Sequence, residues 1–458
     1  MNQREIKRLF GTDGIRGEAG KFPLDPLTIR VIGKSLARRM AERTDRSAPR
    51  ILVGRDTRES GPWIESDLIA GARAAGAEVQ SAGVITTPGI AFLTRAMLAD
   101  AGVVISASHN PYQDNGIKVF EPSGRKLDDA TERLIEADIA AAMSSAASDD
   151  KRESREGEDH AEKLRHRYLD FLTHDVAQDL SLANLTMVVD CANGASYEIA
   201  PRLFTSLGAR IIAINSQPDG RNINLDCGSL HINGLQRRVI AERADLGVAF
   251  DGDADRALFV DSHGKFVDGD GTLWVMAKYM QARGELHDDT VVATVMSNVG
   301  LEVALRSQGV KLVRADVGDK YVLEELLRSG ASLGGEQSGH IIFPGLSLAG
   351  DGLITTLRLL RAMRAENGSL SELTEGFRRF PQILVNVRVR EKPPFDQVPS
   401  VSNLATETEE KLGDRGRLLL RYSGTEPLAR VMIEGEKQDE IDSYANALAQ
   451  AIRAELGA

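Results

Sequence analysis

The chain has few cysteines: Cys191 and Cys227 are the two among its 458 residues. Two thiols are too few for a disulfide framework or for a cysteine-based zinc site. So low a number is typical of proteins from a reducing compartment, where disulfides do not persist. We therefore expect a cytoplasmic protein.

Long apolar runs are also missing. No run approaches the roughly 18 residues that a helix needs to span a bilayer. The opening MNQREIKRLFGTDGIRG contains no apolar segment of the kind that secretory signals carry. We expect neither secretion nor a membrane partner.

Two nucleotide-binding motifs are absent as well. The sequence has no P-loop and no G-x-G-x-x-G string, which disfavours nucleotide phosphates and dinucleotides. Its formal net charge is −11, and an acidic chain lacks the basic surface that a nucleic acid requires. Small anions are not excluded, because a local cluster of Arg and Lys can override the global charge.

Its composition, 42% hydrophobic and 27% charged, is that of an ordinary soluble globular protein. The length predicts three or four domains. Short β-branched runs alternate with amphipathic stretches in three similar blocks, of which examples are ILVGRD from Ile51, LTMVVD from Leu185 and VVATVM from Val291. This alternation predicts βαβ units with mostly parallel sheets covered on both faces, and the recurrence indicates a structural repeat.

Two features mark domain boundaries. Residues 144–163 are polar and highly charged without an apolar period, as expected of a linker or a helix rim. Pro381 and the pair Pro393–Pro394 frame a C-terminal block that we predict to be a small α+β domain. The predicted domains are residues 1–160, 161–258, 259–376 and 377–458.

The segment DGDADR follows the predicted strand LGVAF, where ligands of α/β sheets usually bind. Its carboxylates Asp251, Asp253 and Asp255 repel one another unless a cation lies among them. Oxygen ligands suit a hard ion such as Mg²⁺, whereas an EF-hand is excluded because its sixth and twelfth positions would be Arg256 and Ser262. We favour a metal site over a plain hydrophilic hairpin, which gains little from three clustered carboxylates.

Three further segments each allow two interpretations. Ser106–Pro111 (SASHNP) follows a buried strand, and local spacing favours a turn over a site built on Ser108. Gly334–His340 (GGEQSGH) is equally consistent with a structural turn and with a loop that binds sugar hydroxyls. Arg421–Pro427 (RYSGTEP), with Arg430 nearby, is either a hairpin loop or a cradle for an anion.

Two cations complete the candidates. FGTDGIRG is too short and glycine-rich to predict a helix or a strand, so we expect Arg16 to lie on a loop. Lys118 follows the turn-forming pair Asn115–Gly116 and is predicted to approach the Ser108 loop.

Together these segments resemble the α-D-phosphohexomutase superfamily. FGTDGIRG, SASHNP, DGDADR, GGEQSGH and RYSGTEP occur in that family's order and span essentially the whole chain. The first and fourth look most like those of bacterial members that act on glucosamine phosphates. The resemblance implies an α/β protein of three related domains with mixed, mostly parallel sheets and a smaller C-terminal α+β domain, all around one deep cleft.

The sequence departs from the family's pattern at two places. The linker is unusually charged, and no Pro follows His231 in the stretch Asp226–Asn233. Neither place coincides with a mapped catalytic residue.

The resemblance also implies roles for single residues. Ser108 matches the serine that carries phosphate, and together with the three aspartates it would bind one Mg²⁺ per chain. Glu336 and Ser338 match residues that read sugar hydroxyls. Arg256 matches an active-site residue; Arg16 and Lys118 are further cations for the phosphoserine, while Lys118, His340 and His109 are candidates for proton transfer. The implied phosphate-binding residues are Arg421, Ser423, Gly424, Thr425 and Arg430.

The implied reaction interconverts glucosamine 6-phosphate and glucosamine 1-phosphate through phosphoserine and a bisphosphorylated sugar, and feeds amino-sugar nucleotide and cell-wall precursor synthesis. A phosphomannomutase or phosphoglucomutase is the nearest alternative, since a few polar contacts in the Glu336–His340 loop decide the sugar. A metal-dependent sugar phosphatase would not need the distal phosphate loop, and a non-catalytic sensor would not need the complete catalytic set. Both a monomer and a dimer remain open.

Overall fold

The computed structural model describes residues 8–11, 13–143, 158–423 and 426–458. Within these ranges, no helix combines the length and apolar character needed to cross a membrane. Packing divides the chain into two units, residues 1–295 with 313–374 and residues 296–312 with 375–458. Most of the predicted linker, residues 144–157, lies outside the described residues, whereas its remainder from Glu158 onward is helical.

The first domain is built on a six-stranded sheet in the order β1-β2-β6-β5-β3-β4. Strands β3, β4 and β5 are parallel, and antiparallel pairing of β6, β2 and β1 extends the sheet beyond β5. The strands are β1 Phe10–Gly11, β2 Gly14–Glu18, β3 Arg50–Arg55, β4 Glu78–Val84, β5 Ala101–Ile105 and β6 Asp114–Phe120. The helices are α1 Pro26–Thr44, α2 Gly61–Ala74, α3 Thr87–Ala96 and α4 Asp129–Met143.

The segment FGTDGIRG forms strands, so the prediction of a loop at Arg16 was wrong. Arg16 lies in β2 opposite Gly116 of β6. Two causes explain the difference: Gly14 has φ +82°, which permits the tight reversal between β1 and β2, and Ile15 is fully buried in the core. A short strand of this kind is held by its tertiary partners rather than by its own propensity.

The second domain has a five-stranded sheet in the order β11-β10-β9-β7-β8. Strands β7, β8 and β9 are parallel, and β9 and β10 form an antiparallel hairpin whose turn is DGDADR. Each residue of β9 and β10 is buried. Helix α5 Glu158–Asp170 packs against β4 and α3 of the first domain. The elements of the second domain are β7 Thr186–Asp190, α6 Ile199–Ser206, β8 Arg210–Ile214, α7 Asn233–Glu242, β9 Leu246–Phe250, β10 Ala257–Asp261 and β11 Phe266–Val267.

The third sheet has four strands in the order β13-β12-β14-β15. Strand β12 pairs in parallel with β14, and β14 forms an antiparallel pair with β15, so GGEQSGH joins two short strands. The elements in chain order are α8 Gly269–Gln281, β12 Thr290–Thr294, α9 Val299–Ser307, β13 Lys311–Ala315, α10 Asp319–Ser329, β14 Gly334–Gly335, β15 Ile341–Ile342, α11 Gly352–Glu366 and α12 Leu370–Leu373.

The described residues of the second unit contain an antiparallel sheet in the order β16-β18-β17 and three α-helices. Helix α9 belongs to this unit although its sequence lies within the predicted third domain. Asn298 caps α9 and also donates to Glu434 and to the carbonyl of Phe380. The remaining elements are β16 Gln382–Arg388, α13 Pro399–Leu412, β17 Arg417–Tyr422, β18 Leu428–Glu434 and α14 Gln438–Leu456.

Candidate active site

Ser108 lies three residues beyond the end of β5 and is 1% exposed. Its φ of +52° is in the left-handed region, which non-glycine residues seldom adopt and which surrounding contacts must hold. Its N–H donates to Ser106 Oγ at 3.0 Å, and its own Oγ donates to Asp251 Oδ2 at 2.5 Å. The hydroxyl is therefore fixed against the first carboxylate of DGDADR.

The three aspartates form one buried cluster. Asp251, Asp253 and Asp255 each offer an oxygen, and these oxygens lie within 4.8 Å of one another. Burial, followed by the charges of Asp255 and Asp253, raises the pKa of Asp251 well above its usual value. Asp253 Oδ1 and Asp255 Oδ1 are buried without a hydrogen-bond partner among the described residues. Repelling carboxylates with unsatisfied oxygens fit a hard divalent cation.

Lys118 is the cation closest to this cluster. It projects from β6, is 1% exposed, and places Nζ 2.8 Å from Asp253 Oδ2 and 3.4 Å from Asp255 Oδ2. Burial lowers its pKa, but Asp13, Asp253 and Asp255 outweigh burial and hold the pKa well above the usual value. Lys118 is therefore an ammonium ion at neutral pH.

His109 and Arg256 border the serine on another side. Arg256 Nη1 donates to His109 Nδ1 at 3.2 Å, and the same ring nitrogen is 3.4 Å from Ser108 Oγ. Burial and the charges of Arg256 and Arg16 lower the pKa of His109 to about 4. The ring is neutral at physiological pH and serves as an acceptor at Nδ1.

Asp13 connects the cations of the first domain, and our sequence analysis did not identify it. It pairs with Arg16, with Lys118 at 3.0 Å and with Lys126 at 2.5 Å. Burial raises its pKa, but these three cations outweigh burial and lower the pKa far below the usual value. Lys126 also pairs with Asp319, at the start of α10, at 2.5 Å.

The GGEQSGH loop brings Glu336, Ser338 and His340 to the same region. Ser338 Oγ donates to Glu336 Oε2 at 3.1 Å, and Glu336 Oε1 accepts from the backbone N–H of Gly318. His340 Nδ1 is 3.7 Å from Asp255 Oδ2, and Nε2 is 3.7 Å from Asp319 Oδ2. Burial lowers the pKa of His340, but the carboxylates of Asp255, Asp319 and Glu336 outweigh burial and raise it to about 9.

A cavity of about 500 Å³ adjoins these groups. This volume is within the range of small-molecule sites. Its polar lining includes Asp13, Arg16, His109, Arg256, Glu336 and His340. The structure thus brings ten predicted positions together around one cluster and one cavity, although they come from three separate sheets. They are Ser108, His109, Lys118, the three aspartates, Arg16, Arg256, Glu336 and His340.

The C-terminal candidates lie in the second unit. Arg421 of β17 is directly opposite Arg430 of β18, so both side chains project from the same face of the sheet. Ser423 Oγ accepts from the Glu426 N–H at 3.2 Å. Lys392 donates to the carbonyl of Ser423 at 2.6 Å and adds a cation that we did not predict. The predicted residues Gly424 and Thr425 lie outside the described residues.

Further residues beside the Ser108 loop were also missed. Arg58 and Asn224 donate to backbone carbonyls of this loop, and Thr87 Oγ1 donates to Asp253 Oδ2 at 2.5 Å. None of them stands in a glycine-rich motif. A weak signal existed at Arg58, because it follows the carboxyl end of β3, where ligands of such sheets bind.

Comparison with known families accounts for these features. Four family models match consecutive parts of the chain: the alpha/beta/alpha domains I, II and III of phosphoglucomutase/phosphomannomutase over residues 7–146, 166–264 and 268–380, and the C-terminal domain over residues 384–451. The chain belongs to this family.

The relatives include proteins named phosphoglucosamine mutase. The one from Solibacter usitatus is 49% identical over 452 residues, covering 98% of this chain and 99% of the relative. The one from Koribacter versatilis is 47% identical over 462 residues, covering 99% and 98%. At this identity and coverage the chain belongs among the phosphoglucosamine mutases of the family.

Solved structures have the same fold. A phosphoglucomutase/phosphomannomutase family protein from Burkholderia thailandensis has a TM-score of 0.78 at 24% identity, covering 98% of this chain and 97% of that chain. The N-acetylphosphoglucosamine mutase of Aspergillus fumigatus, solved with GlcNAc-6P and magnesium, has a TM-score of 0.63 at 18% identity, covering 97% and 95%. At these identities the likeness concerns the fold.

Proposed function

We propose that this protein interconverts glucosamine 6-phosphate and glucosamine 1-phosphate. The observation that carries the proposal is the Ser108 hydroxyl, held 2.5 Å from Asp251 beside a buried cluster of three carboxylates. The names of the relatives support an amino sugar as substrate. The Aspergillus structure, which holds GlcNAc-6P and magnesium, supports both a phosphosugar ligand and this metal.

In the proposed cycle, phosphorylated Ser108 donates its phosphoryl group to the free hydroxyl of the bound sugar. The bond between Ser108 Oγ and phosphorus breaks, and a bond from the sugar oxygen to phosphorus forms. The resulting glucosamine 1,6-bisphosphate then reorients in the site, so that its two ends exchange places. It returns its other phosphoryl group to Ser108. The distal phosphate is assigned to Arg421, Ser423, Gly424, Thr425 and Arg430 in both orientations.

Charge neutralisation is the main task of the site, because phosphoryl transfer needs positioning and electrostatic stabilisation above all. A phosphoserine carries about −1.5 to −2 charges at neutral pH. We assign one Mg²⁺ to Asp251, Asp253, Asp255 and the phosphorylated Ser108; when bound, it would neutralise part of this charge. Lys118, Arg16 and Arg256 supply the remaining positive charge.

Proton transfer and sugar recognition complete the assignment. The attacking hydroxyl must lose a proton, and the departing Ser108 Oγ must gain one. Lys118 and His340, which both lie beside Asp255, are the candidates. Each is a cation at neutral pH and would give its proton to Ser108 Oγ before it accepts the proton of the hydroxyl. His109, neutral and 3.4 Å from Ser108 Oγ, is the third candidate. Glu336, which lines the cavity, and Ser338, which donates to Glu336, would bind sugar hydroxyls.

Peptide mapping combined with turnover assays tests the proposal. The purified protein, incubated with glucosamine 1,6-bisphosphate, should carry one phosphate on Ser108 and should convert glucosamine 6-phosphate faster than glucose or mannose 6-phosphate. Ser108→Ala should abolish both the phosphorylation and the turnover. Ser123 lies on an exposed turn of the same domain, and Ser123→Ala should keep the phosphorylation and the turnover of wild type. Turnover by Ser108→Ala would refute the covalent route, and steady release of inorganic phosphate would indicate a phosphatase.

A further inference from the structure

Arg58 is a fully buried arginine next to the Ser108 loop, and both its side chain and that of Asp56 are 0% exposed. Its Nε donates to Asp56 Oδ2 at 2.9 Å. Its two terminal nitrogens donate to four backbone carbonyls: those of Ser108, Asn110 and Pro111 in the loop, and that of Asp114, the first residue of β6. All five N–H donors of the guanidinium are thus used, and four of them bind the segment that presents Ser108.

The Asp56–Arg58 pair is linked by hydrogen bonds to both the N–H and the carbonyl of Ser108. Asp56 Oδ2 accepts from Ser106 Oγ at 2.7 Å, and Ser106 Oγ in turn accepts from the Ser108 N–H. Arg58 Nη2 donates to the Ser108 carbonyl at 2.9 Å. Because both peptide groups of Ser108 are tied to the same pair, its φ of +52° is fixed by these contacts.

A second domain contributes to the same carbonyls. Asn224, on the loop between β8 and α7, donates through Nδ2 to the carbonyls of Ser108 at 2.9 Å and Asn110 at 3.1 Å. The Ser108 loop is therefore clamped between Arg58 from its own sheet and Asn224 from the domain that carries the aspartates. This clamp sets the position of Ser108 relative to Asp251.

We propose that Arg58 is a positioning residue for phosphoryl transfer, acting together with Asp56 and Asn224. It holds Ser108 in the left-handed conformation that directs Oγ toward Asp251. Since Asp56 balances its charge, its contribution is geometric rather than electrostatic. A lysine would keep the charge but offer three donors from a single point, so it would not reproduce the five-bond fork.

The inference rests on the proposed function, because it concerns the alignment of the same serine. Alignment acts on the chemical step, and a displacement of about 1 Å is enough to cost roughly 100-fold in rate. In the full-length protein with Mg²⁺, Arg58→Lys should lower kcat about 100-fold and leave KM for glucosamine 6-phosphate within about threefold. Asn224→Ala, which removes one of the two donors to the Ser108 carbonyl, should lower kcat about tenfold.

Single-turnover transfer separates positioning from mere destabilisation. Protein first phosphorylated on Ser108 is mixed with sugar phosphate, and the rate is expressed per folded, phosphorylated molecule. In Arg58→Lys and Asn224→Ala, this rate should fall by the same factor as kcat. The fraction of phosphoserine that is hydrolysed by water should rise in both variants. Arg221→Lys, an exposed arginine three residues before Asn224 that pairs with Glu59, should match wild type.

The outcomes distinguish a positioning role of Arg58 from a purely structural one. A folded Arg58→Lys protein with a wild-type single-turnover rate would overturn the proposal, as would a loss of activity fully explained by a smaller folded fraction. If Arg58→Lys does not fold, Asn224→Ala decides, and a wild-type rate there would overturn the proposal. Wild-type protein that is phosphorylated on Ser108 but converts no glucosamine phosphate would contradict the proposed function alone, since transfer to another hexose phosphate would still report the effect of Arg58.

Discussion

At the scale of the residue, Lys118 determines much of the charge in the site. Its ammonium group contacts Asp13, Asp253 and Asp255 and has almost no contact with water. Removing one partner of a buried ion pair leaves an uncompensated charge and costs about 3–5 kcal/mol. Lys118 and a bound metal ion would therefore share the task of offsetting the three aspartates.

Lys118→Met should make folding stability depend strongly on Mg²⁺. In EDTA its melting temperature should fall well below that of wild type, because the buried carboxylates lose their closest cation. Saturating Mg²⁺ should recover much of the difference, while turnover stays about 10²–10⁴-fold lower if the lysine moves the proton. Thermal melts with and without Mg²⁺, together with steady-state assays, measure both effects.

Lys126→Met is the matched control, since Lys126 pairs with Asp13 and Asp319 but not with the aspartate cluster. It should lose stability about equally in EDTA and in Mg²⁺. An equal dependence on Mg²⁺ in the two variants would contradict the role assigned to Lys118.

At the scale of the element, the turn between β9 and β10 packs directly on the Ser108 loop. A Cβ on Gly252 would lie 2.5 Å from the carbonyl oxygen of Ser108, closer than real contacts allow. The turn can approach the serine this closely because glycine has no side chain. The distance from Ser108 to Asp251 thus depends on Gly252, although this glycine has no side chain that could take part in the reaction.

Gly252→Ala should therefore separate the two loops and lower kcat by about 100-fold or more, with a smaller effect on stability. Gly234→Ala, in α7 with open space around its Cβ, is the control and should be neutral or stabilise by up to about 1 kcal/mol. Assays and urea unfolding of both variants measure the effects. Normal turnover by Gly252→Ala would show that the close approach is not needed.

Helix α11 begins with a buried carboxyl group, and its titration should make the free energy of unfolding depend on pH. Asp351 caps the helix by accepting from the N–H groups of Leu353 and Ile354, and it accepts from Tyr168 Oη at 2.6 Å. Burial is the largest cause that raises its pKa to about 6. A carboxyl with a raised pKa in the folded protein stabilises the fold below its unfolded pKa of about 3.9, and this contribution is lost as pH rises through about 6.

Asp351→Asn keeps the cap but removes the titration. The free energy of unfolding of wild type relative to this variant should fall by about 3 kcal/mol between pH 4 and pH 7, at about 1.4 kcal/mol per pKa unit. Urea unfolding across this range measures the difference. A difference that stays flat across this range would show that the carboxyl of Asp351 titrates at its ordinary pKa.

At the scale of the whole molecule, the α/β class and the positions of most strands could be predicted, because buried β-branched runs alternate with amphipathic helices. The aspartate cluster could also be predicted, since its three carboxylates are close in sequence and repel one another. The strand at Arg16 and the roles of Asp13, Arg58 and Asn224 could not. Each depends on partners 50 or more residues away in the chain, and only folding brings these together.

Helix α9 packs with the C-terminal sheet for a reason that the periodicity of the sequence could not predict. Glu434 of β18 is fully buried and accepts from Asn298 Nδ2, from the Val299 N–H and from Arg417. The start of α9 is thereby bound to the second unit. Residues 296–312 and 375–458 should then lose structure together, because cooperative units follow packing rather than chain order.

Glu434→Gln tests this cooperativity in the intact protein. The amide keeps the shape but weakens the charged bonds to Arg417, so the second unit should lose about 2–4 kcal/mol. Hydrogen exchange should be faster throughout α9, β16, β17 and β18, whereas α1 and α2 of the first unit keep wild-type protection. Glu436→Gln, which alters an exposed pair with Arg415, should leave both patterns unchanged. Equal loss of protection in α1 and α2 would mean that the two units unfold as one.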